Sequence, residues 1–144
     1  PRKRLISPVF DVLSLNMDDA GRARAAATYA APSTTGHPGA GILYDLSADP
    51  GYRGGGYDLL RANLDGPMLP DASEFWFTPL PGAKKFYTHK FGMKYMDPYE
   101  ALSDPDVSEA FRAVGGTDNV KDLGVGVIRR AAGGLAQMRG RVCR

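Results

Sequence analysis

The chain has 144 residues, a formal net charge of +2 and 43% apolar residues. This length suits one ordinary domain and argues against two full domains. The single cysteine, Cys143, excludes an internal disulfide, and no apolar run reaches the ~18 residues that a membrane-spanning helix requires.

The bases are concentrated at the two ends of the chain. Residues 1–6 hold three bases and no acid, and residues 129–144 hold five arginines and no acid. The rest of the chain carries sixteen acids, so two basic ends flank an acidic body. This uneven distribution of charge predicts contact of the basic ends with RNA, an acidic protein surface or lipid headgroups. Solvated termini without a partner have the same composition.

Residues 1–32 are predicted to form a basic arm and a helix. Pro1 fits either removal of a preceding Met or cleavage of a transit peptide, and nothing resembles a secretory signal. Residues 8–15 fit a helix begun by Ser7-Pro8 or a short strand. Residues 18–30 predict a helix, because they begin with two acids, are rich in alanine and end before Pro32.

Residues 33–98 are predicted to form an extended segment. Eight prolines and ten glycines lie between Ala31 and Pro98, and they oppose long helices and central strands. The same stretch, together with Tyr99, holds eleven of the fourteen aromatic residues. A short extended piece over 42–46, a short helix over 57–64 and a hairpin near 84–95 are the regular elements expected here. Rings on such an irregular segment predict burial against neighbouring molecules.

Residues 99–144 are predicted to be helical, with a basic tail. The sequence Ser103-Asp104-Pro105 begins a helix over 105–114, which ends at Gly115-Gly116. A last helix is expected over 119–138, where apolar residues recur at three- and four-residue steps. The predicted fold is therefore mainly α with extensive coil, two to four short helices, at most a small hairpin and no large independent core.

Aromatic side chains and the last helix supply the predicted partner-binding residues, since aromatic residues dominate many protein interfaces. The set is Tyr52, Tyr57, Phe75, Trp76, Phe77, Phe86, Tyr87, Phe91, Tyr95, Leu123, Val127, Leu135, Arg129, Arg130, Arg139 and Arg141.

Motifs that carry catalysis are sparse. The run Gly51 to Tyr57 is the nearest approach to a phosphate-binding loop, but it lacks GK[ST] and the GxGxxG spacing, so we interpret it as a flexible turn. His37 and His89 do not have metal-ligand spacing. The acids between Asp97 and Glu109 could hold a hard cation, although helix capping explains Asp104 and Asp106 better. No catalytic residue, metal or cofactor is predicted.

The sequence thus predicts a non-catalytic accessory subunit that stabilises a large multiprotein assembly. The basic ends favour a mitochondrial complex, with a ciliary microtubule or a plastid complex as alternatives. A second hypothesis is a small RNA-binding protein, because four lysines alternate with aromatic residues over 84–95. An enzyme with an unfamiliar site is a third and minor hypothesis.

Overall fold

Six strands form one mixed sheet in the computed structural model, which describes residues 10–130. The strand order is β1-β2-β3-β4-β6-β5, and only β3 and β4 pair in parallel. The strands are β1 Val12–Met17, β2 Ala23–Ala30, β3 Ala40–Ala48, β4 Glu74–Phe77, β5 Lys94–Met96 and β6 Val125–Arg129. The helices are α1 Pro32–Thr35, α2 Gly55–Asp65, α3 Lys84–Phe91, α4 Pro98–Ser103, α5 Pro105–Val114 and α6 Thr117–Leu123.

Helices cover both faces of the sheet and create two hydrophobic cores. On one face α2 and α3 bury side chains that include Leu60 and Phe91 against Tyr29, Phe75 and Phe77. On the other face α4, α5 and α6 pack over a set that includes Ile42, Trp76 and Val125. This α/β architecture with a sheet-based core contradicts the predicted fold, which was mainly α with extensive coil and no large core. Phe75 is 1% exposed and Trp76 4% exposed, so the chain shelters its own rings.

The predicted helix over 18–30 is wrong, because this stretch forms a turn followed by β2. The Asp18 carboxylate accepts hydrogen bonds from the amides of Ala20 and Arg22, and Gly21 adopts a φ of +79°. In β2 the buried positions then alternate with half-buried ones. Alanines suit these positions because α2 packs close: a Cβ on Gly55 would lie 3.6 Å from the Cβ of Ala25. Tertiary packing here overrides the helix propensity of alanine.

Two further predicted elements are also corrected. The predicted hairpin near 84–95 is instead α3 followed by the short strand β5, with Gly92 ending the helix at a φ of +65°. The predicted helix over 119–138 ends at Leu123, because Gly124 turns the chain into β6. For the stretch 8–15 helix and strand were both open; its residues 12–15 form part of β1. The helices predicted over 57–64 and 105–114 coincide with α2 and α5.

Substitution of Leu60 tests whether the chain forms this core by itself. Leu60 is 1% exposed, and Leu60→Ala should lower the free energy of unfolding by about 2–5 kcal/mol through lost burial and a cavity. The fluorescence of Trp76, the only tryptophan, reports the transition in a urea titration. Leu80→Ala is the matched control, because Leu80 is 67% exposed and its removal should have little effect. Equal effects of the two substitutions would contradict the packing described here.

Candidate functional site

The two parallel strands at the centre of the sheet separate along their length. They pair at Ala40–Glu74, Gly41–Phe75 and Ile42–Trp76, and no pairing follows, although β3 continues to Ala48. A cleft of about 290 Å³ lies where they diverge. This volume is near the lower end of the range for small-molecule sites, roughly 300–1,000 Å³.

Two local features keep the strands apart. In β3, Leu43 pairs with Tyr29 and Asp45 with Thr28, so Tyr44 is an extra residue that forms a β-bulge. A bulge bends its strand, and bulges are frequent beside active sites. Beyond β4, Pro79 has no amide proton and cannot continue a ladder. The sheet therefore opens between Tyr44 and Pro79.

Both strands, the segment between β4 and α3, α3 itself and α6 contribute residues to the cleft. The lining residues are Leu43, Tyr44, Asp45, Leu46, Phe77, Thr78, Pro79, Leu80, Ala83, Tyr87, Asn119 and Leu123. The two tyrosines of this lining, Tyr44 and Tyr87, differ in the hydrogen bonding of their hydroxyl groups. The Tyr44 hydroxyl donates a hydrogen bond to the carbonyl oxygen of Val114.

Tyr87 is the phenol available to a ligand. Its ring packs edge-on against Phe77, with centroids 4.7 Å apart, and no hydrogen-bond partner of its hydroxyl occurs among residues 10–130. Burial raises the pKa of Tyr87 above its ordinary value. Its phenol is therefore protonated at neutral pH and can donate a hydrogen bond into the cleft.

The glycine-rich run opens α2 beside one wall of this cleft. A Cβ on Gly56 would lie 3.9 Å from the side chain of Leu46, which lines the cleft. Gly54 has a φ of +78°, and no side chain caps the amides of the first turn. Such a helix start presents unpaired amide protons and a partial positive charge, both of which favour an anion.

A polar network fixes the loop before this helix start. The Asp49 carboxylate accepts hydrogen bonds from the Gly51 amide at 2.8 Å and from the Arg24 guanidinium at 2.7 Å. Arg24 also donates to Asp18 at 2.8 Å. The Gly51 amide and then Arg24 hold the pKa of Asp49 below its ordinary value, so the carboxylate is charged at neutral pH. These contacts anchor the start of the loop at Gly51, and the interpretation of residues 51–57 as a flexible turn stays a prediction.

The predicted aromatic anchors do not lie on one surface. Phe75, Trp76, Phe77 and Phe91 are buried in the two cores. Tyr87 lines the cleft. The others are half-buried or exposed: Tyr52 below Arg24, Tyr57 on α2, Phe86 on α3 and Tyr95 on β5.

The predicted residues of the last helix are also separated. Leu123 lines the cleft, Val127 packs against a core, and Arg129 pairs with Glu74 at 3.2 Å. Leu135, Arg139 and Arg141 lie outside the described residues. Arg130 is buried, and its guanidinium donates hydrogen bonds to the carbonyl oxygens of Asn63, Met68, Leu69 and Ala72. Arg130 thus ties the connection between α2 and β4 to the end of β6.

The predicted acidic cluster caps helices. Asp97 forms a reciprocal capping box with Glu100 at the start of α4, and Asp104 accepts from two amides at the start of α5. Within residues 10–130, no group of His, Cys, Asp and Glu side chains is arranged to hold a metal ion. In the same range no helix is both long and apolar enough to cross a bilayer.

A second groove, of about 340 Å³, lies near the β5 edge of the sheet. Trp76, Val107 and Val127 contribute apolar surface, and Lys94 and Arg129 add charge. Its Glu74 carboxylate is already occupied, because it accepts hydrogen bonds from the Trp76 indole at 2.9 Å and from Arg129 at 3.2 Å. The helix start in its lining, that of α5, is already capped by the Asp104 side chain, whereas no side chain caps the start of α2 beside the first cleft.

Sequence reasoning missed most of the cleft lining, including Leu46, Thr78 and Asn119. Two features of the sequence nevertheless indicate parts of this site. A short extended piece over 42–46, the glycine run and a helix from Tyr57 form a strand–loop–helix unit, in which glycines at a helix start favour an anion. The sequence Thr78-Pro79-Leu80-Pro81 also limits the length of the strand that the aromatic triplet forms.

Comparison with known proteins gives a likeness in fold. No family model matches the chain, and no curated protein matches it in sequence. Among solved structures, it is similar to N-acetylglutamate synthase from Neisseria gonorrhoeae, determined in complex with coenzyme A and N-acetyl-glutamate. The TM-score is 0.59 and the identity 14%, over 83% of this chain and 26% of that protein. The chain thus spans about a quarter of the length of this neighbour, and the likeness concerns the fold alone.

The prediction of a chain that is not an enzyme is contradicted by this likeness. About a quarter of the length of a synthase has a similar fold. The prediction failed because it depended on the absence of local catalytic motifs, whereas the cleft is assembled from distant parts of the chain.

Asp49→Ala tests whether this carboxylate holds the glycine-rich loop. Loss of the acceptor should accelerate amide exchange at Gly51 about five- to tenfold, whereas Ile42 in the centre of the sheet should be unaffected. Exchange is measured by NMR. Asp45→Ala is the control, because this exposed carboxylate on β3, the strand that precedes the loop, accepts a hydrogen bond only from the Thr28 hydroxyl, at 3.4 Å. Unchanged exchange at Gly51 in Asp49→Ala would show that other contacts hold the loop.

Proposed function

We propose that this chain binds an acyl-coenzyme A thioester in the cleft between β3 and β4 and transfers its acyl group to an acceptor amine. The observation that carries the proposal is the separation of two parallel strands directly beside a glycine-rich helix start. The fold neighbour, which was solved with coenzyme A and N-acetyl-glutamate, supports the choice of ligand.

The cleft suits the pantetheine arm of such a ligand. This arm is a narrow chain with two amide groups, and the facing edges of β3 and β4 are unpaired with each other beyond Ile42 and Trp76. Backbone groups on an open strand edge can hydrogen-bond an extended ligand. The side chains of Leu46 and Phe77 provide apolar contacts along the same path.

The start of α2 suits the diphosphate of coenzyme A. The amides of Gly56 and Tyr57 belong to the first helical turn, and the helix dipole favours negative charge at this end. Arg53 is exposed within the loop and adds a positive charge. The glycines leave the backbone open to close approach by phosphate oxygens.

The proposed chemistry is substitution at the thioester carbonyl carbon. The acceptor nitrogen forms a bond to this carbon, the carbon–sulfur bond breaks, and the leaving sulfur takes up a proton as the nitrogen loses one. The Tyr87 phenol lines the cleft and can donate its proton to the leaving sulfur, after which it takes up a proton from solvent. Water can accept the proton from the nitrogen.

The accessory-subunit hypothesis stays a prediction, as do the RNA-binding, ciliary and mitochondrial alternatives. The accessory-subunit hypothesis assumed that neighbouring molecules bury the aromatic rings, whereas many of these rings lie in the cores of the chain itself. The expected lysine-aromatic strand is also absent, since residues 84–91 form a helix.

Thr78→Trp tests the proposed site by filling the cleft. Thr78 is half-buried in the cleft wall, and an indole there should lower the affinity for coenzyme A by at least about tenfold, because it competes for the same space. Isothermal titration calorimetry with coenzyme A measures the effect.

Thr88→Trp is the matched control. It introduces the same side chain at an exposed position of α3 outside the cleft, so its affinity should equal that of the unmodified chain. Retention of the two cores in both variants is checked by the thermal unfolding transition. Failure of the unmodified chain to bind coenzyme A, or equal binding by both variants, would refute the proposed site.

A further inference from the structure

We infer that a patch formed by α2 and α3 binds the 3′-phosphoadenosine end of coenzyme A and makes the site selective for ligands that carry the 3′-phosphate. This inference rests on the proposed function. We define the adenosine patch as Tyr57, Arg61, Phe86 and Lys90, which the acyl-transfer chemistry does not use.

The order of groups in coenzyme A determines where its adenosine must lie. With the thiol arm in the cleft and the diphosphate at the start of α2, the nucleoside continues outward past the first turn of this helix. Tyr57 is the third residue of α2 and directly follows the glycines. The next surface that the ligand meets is therefore the one around Tyr57.

Aromatic rings are available on this surface. The rings of Tyr57 and Phe86 lie edge to face, with centroids 6.4 Å apart, and join α2 to α3. Tyr57 is half-buried and Phe86 is 37% exposed, although a ring of this size is usually covered. A purine base can stack on such partly exposed rings, and stacking on an aromatic ring contributes about 1–3 kcal/mol per base in nucleic-acid complexes.

Two cations flank the rings. The Arg61 guanidinium lies 5.9 Å and the Lys90 ammonium 6.0 Å from the centroid of the Tyr57 ring. Arg61 is partly engaged, since it lies 3.8 Å from Asp65 and donates to the carbonyl oxygen of Lys90. Lys90 is exposed and forms no ion pair within residues 10–130. Lys90 is therefore the cation that is free to bind a phosphate.

The remaining charges around this surface have both signs. Arg53 and Lys85 are exposed on the neighbouring loop and helix, and the acids on α2 are Asp58 in its first turn and Asp65 in its last. Asp58 opposes an anion at the helix start, so the phosphates need the cations of α3 and the loop. Partly exposed rings beside an unpaired ammonium match a phosphorylated purine nucleoside better than an apolar ligand.

Calorimetry with coenzyme A and with 3′-dephospho-coenzyme A tests the inference. The unmodified full chain should bind coenzyme A about tenfold more tightly, because the two ligands differ by a charge-assisted contact. Lys90→Gln should reduce this ratio to about two, mainly by weakening coenzyme A. Lys121→Gln is the matched control, because it removes an exposed lysine on α6 and should leave the ratio unchanged.

The outcomes separate the two proposals. Equal binding of both ligands by the unmodified chain overturns the adenosine patch and leaves the proposed function intact. Absence of binding by either ligand overturns the proposed function and the patch with it. An equal drop in the ratio for Lys90→Gln and Lys121→Gln also overturns the patch, because overall charge would then explain the selectivity.

Discussion

The separation of β3 from β4 is the constraint on which the rest of the structure depends. A sheet of six strands would ordinarily satisfy the backbone groups of its central strands by continuous pairing. Here the bulge at Tyr44 bends β3, and Pro79 prevents β4 from continuing its pairing with β3. The sheet interior is thereby opened to a ligand, while β2 and β6 continue to support the two strands from outside.

Close packing on both sides of this opening makes it stable. The ring of Phe75 lies against Gly41, where a Cβ would approach within 2.8 Å, and Met93 lies against Gly126, where it would approach within 2.5 Å. These glycines allow large side chains to fill the cores next to the sheet backbone. The many glycines suggested an extended chain. At Gly41 and Gly126 they instead allow large side chains to pack directly against the backbone of the sheet.

Local signals in the sequence predicted helices where caps and stop residues agree, as in α5, whose start at Asp104-Pro105 is visible in the sequence. They failed where packing decides the outcome. The alanines of β2 favour a helix in isolation but suit a strand under α2, and Gly124 turns the chain from helix to strand. Local signals indicated the strand–loop–helix unit beside the cleft but not its complete lining, because its walls come from residues as distant as Leu43 and Leu123.

Amide NMR spectra of the full chain during titration with coenzyme A test the central claim most directly. If the opened sheet is the binding site, the largest shift changes will occur in the loop and first turn at 53–57, on β3 at 43–46 and at Thr78. The amides of β1 and α5 should change little. Shift changes confined to the groove around Lys94 and Arg129, or no changes at saturating ligand, would contradict the account.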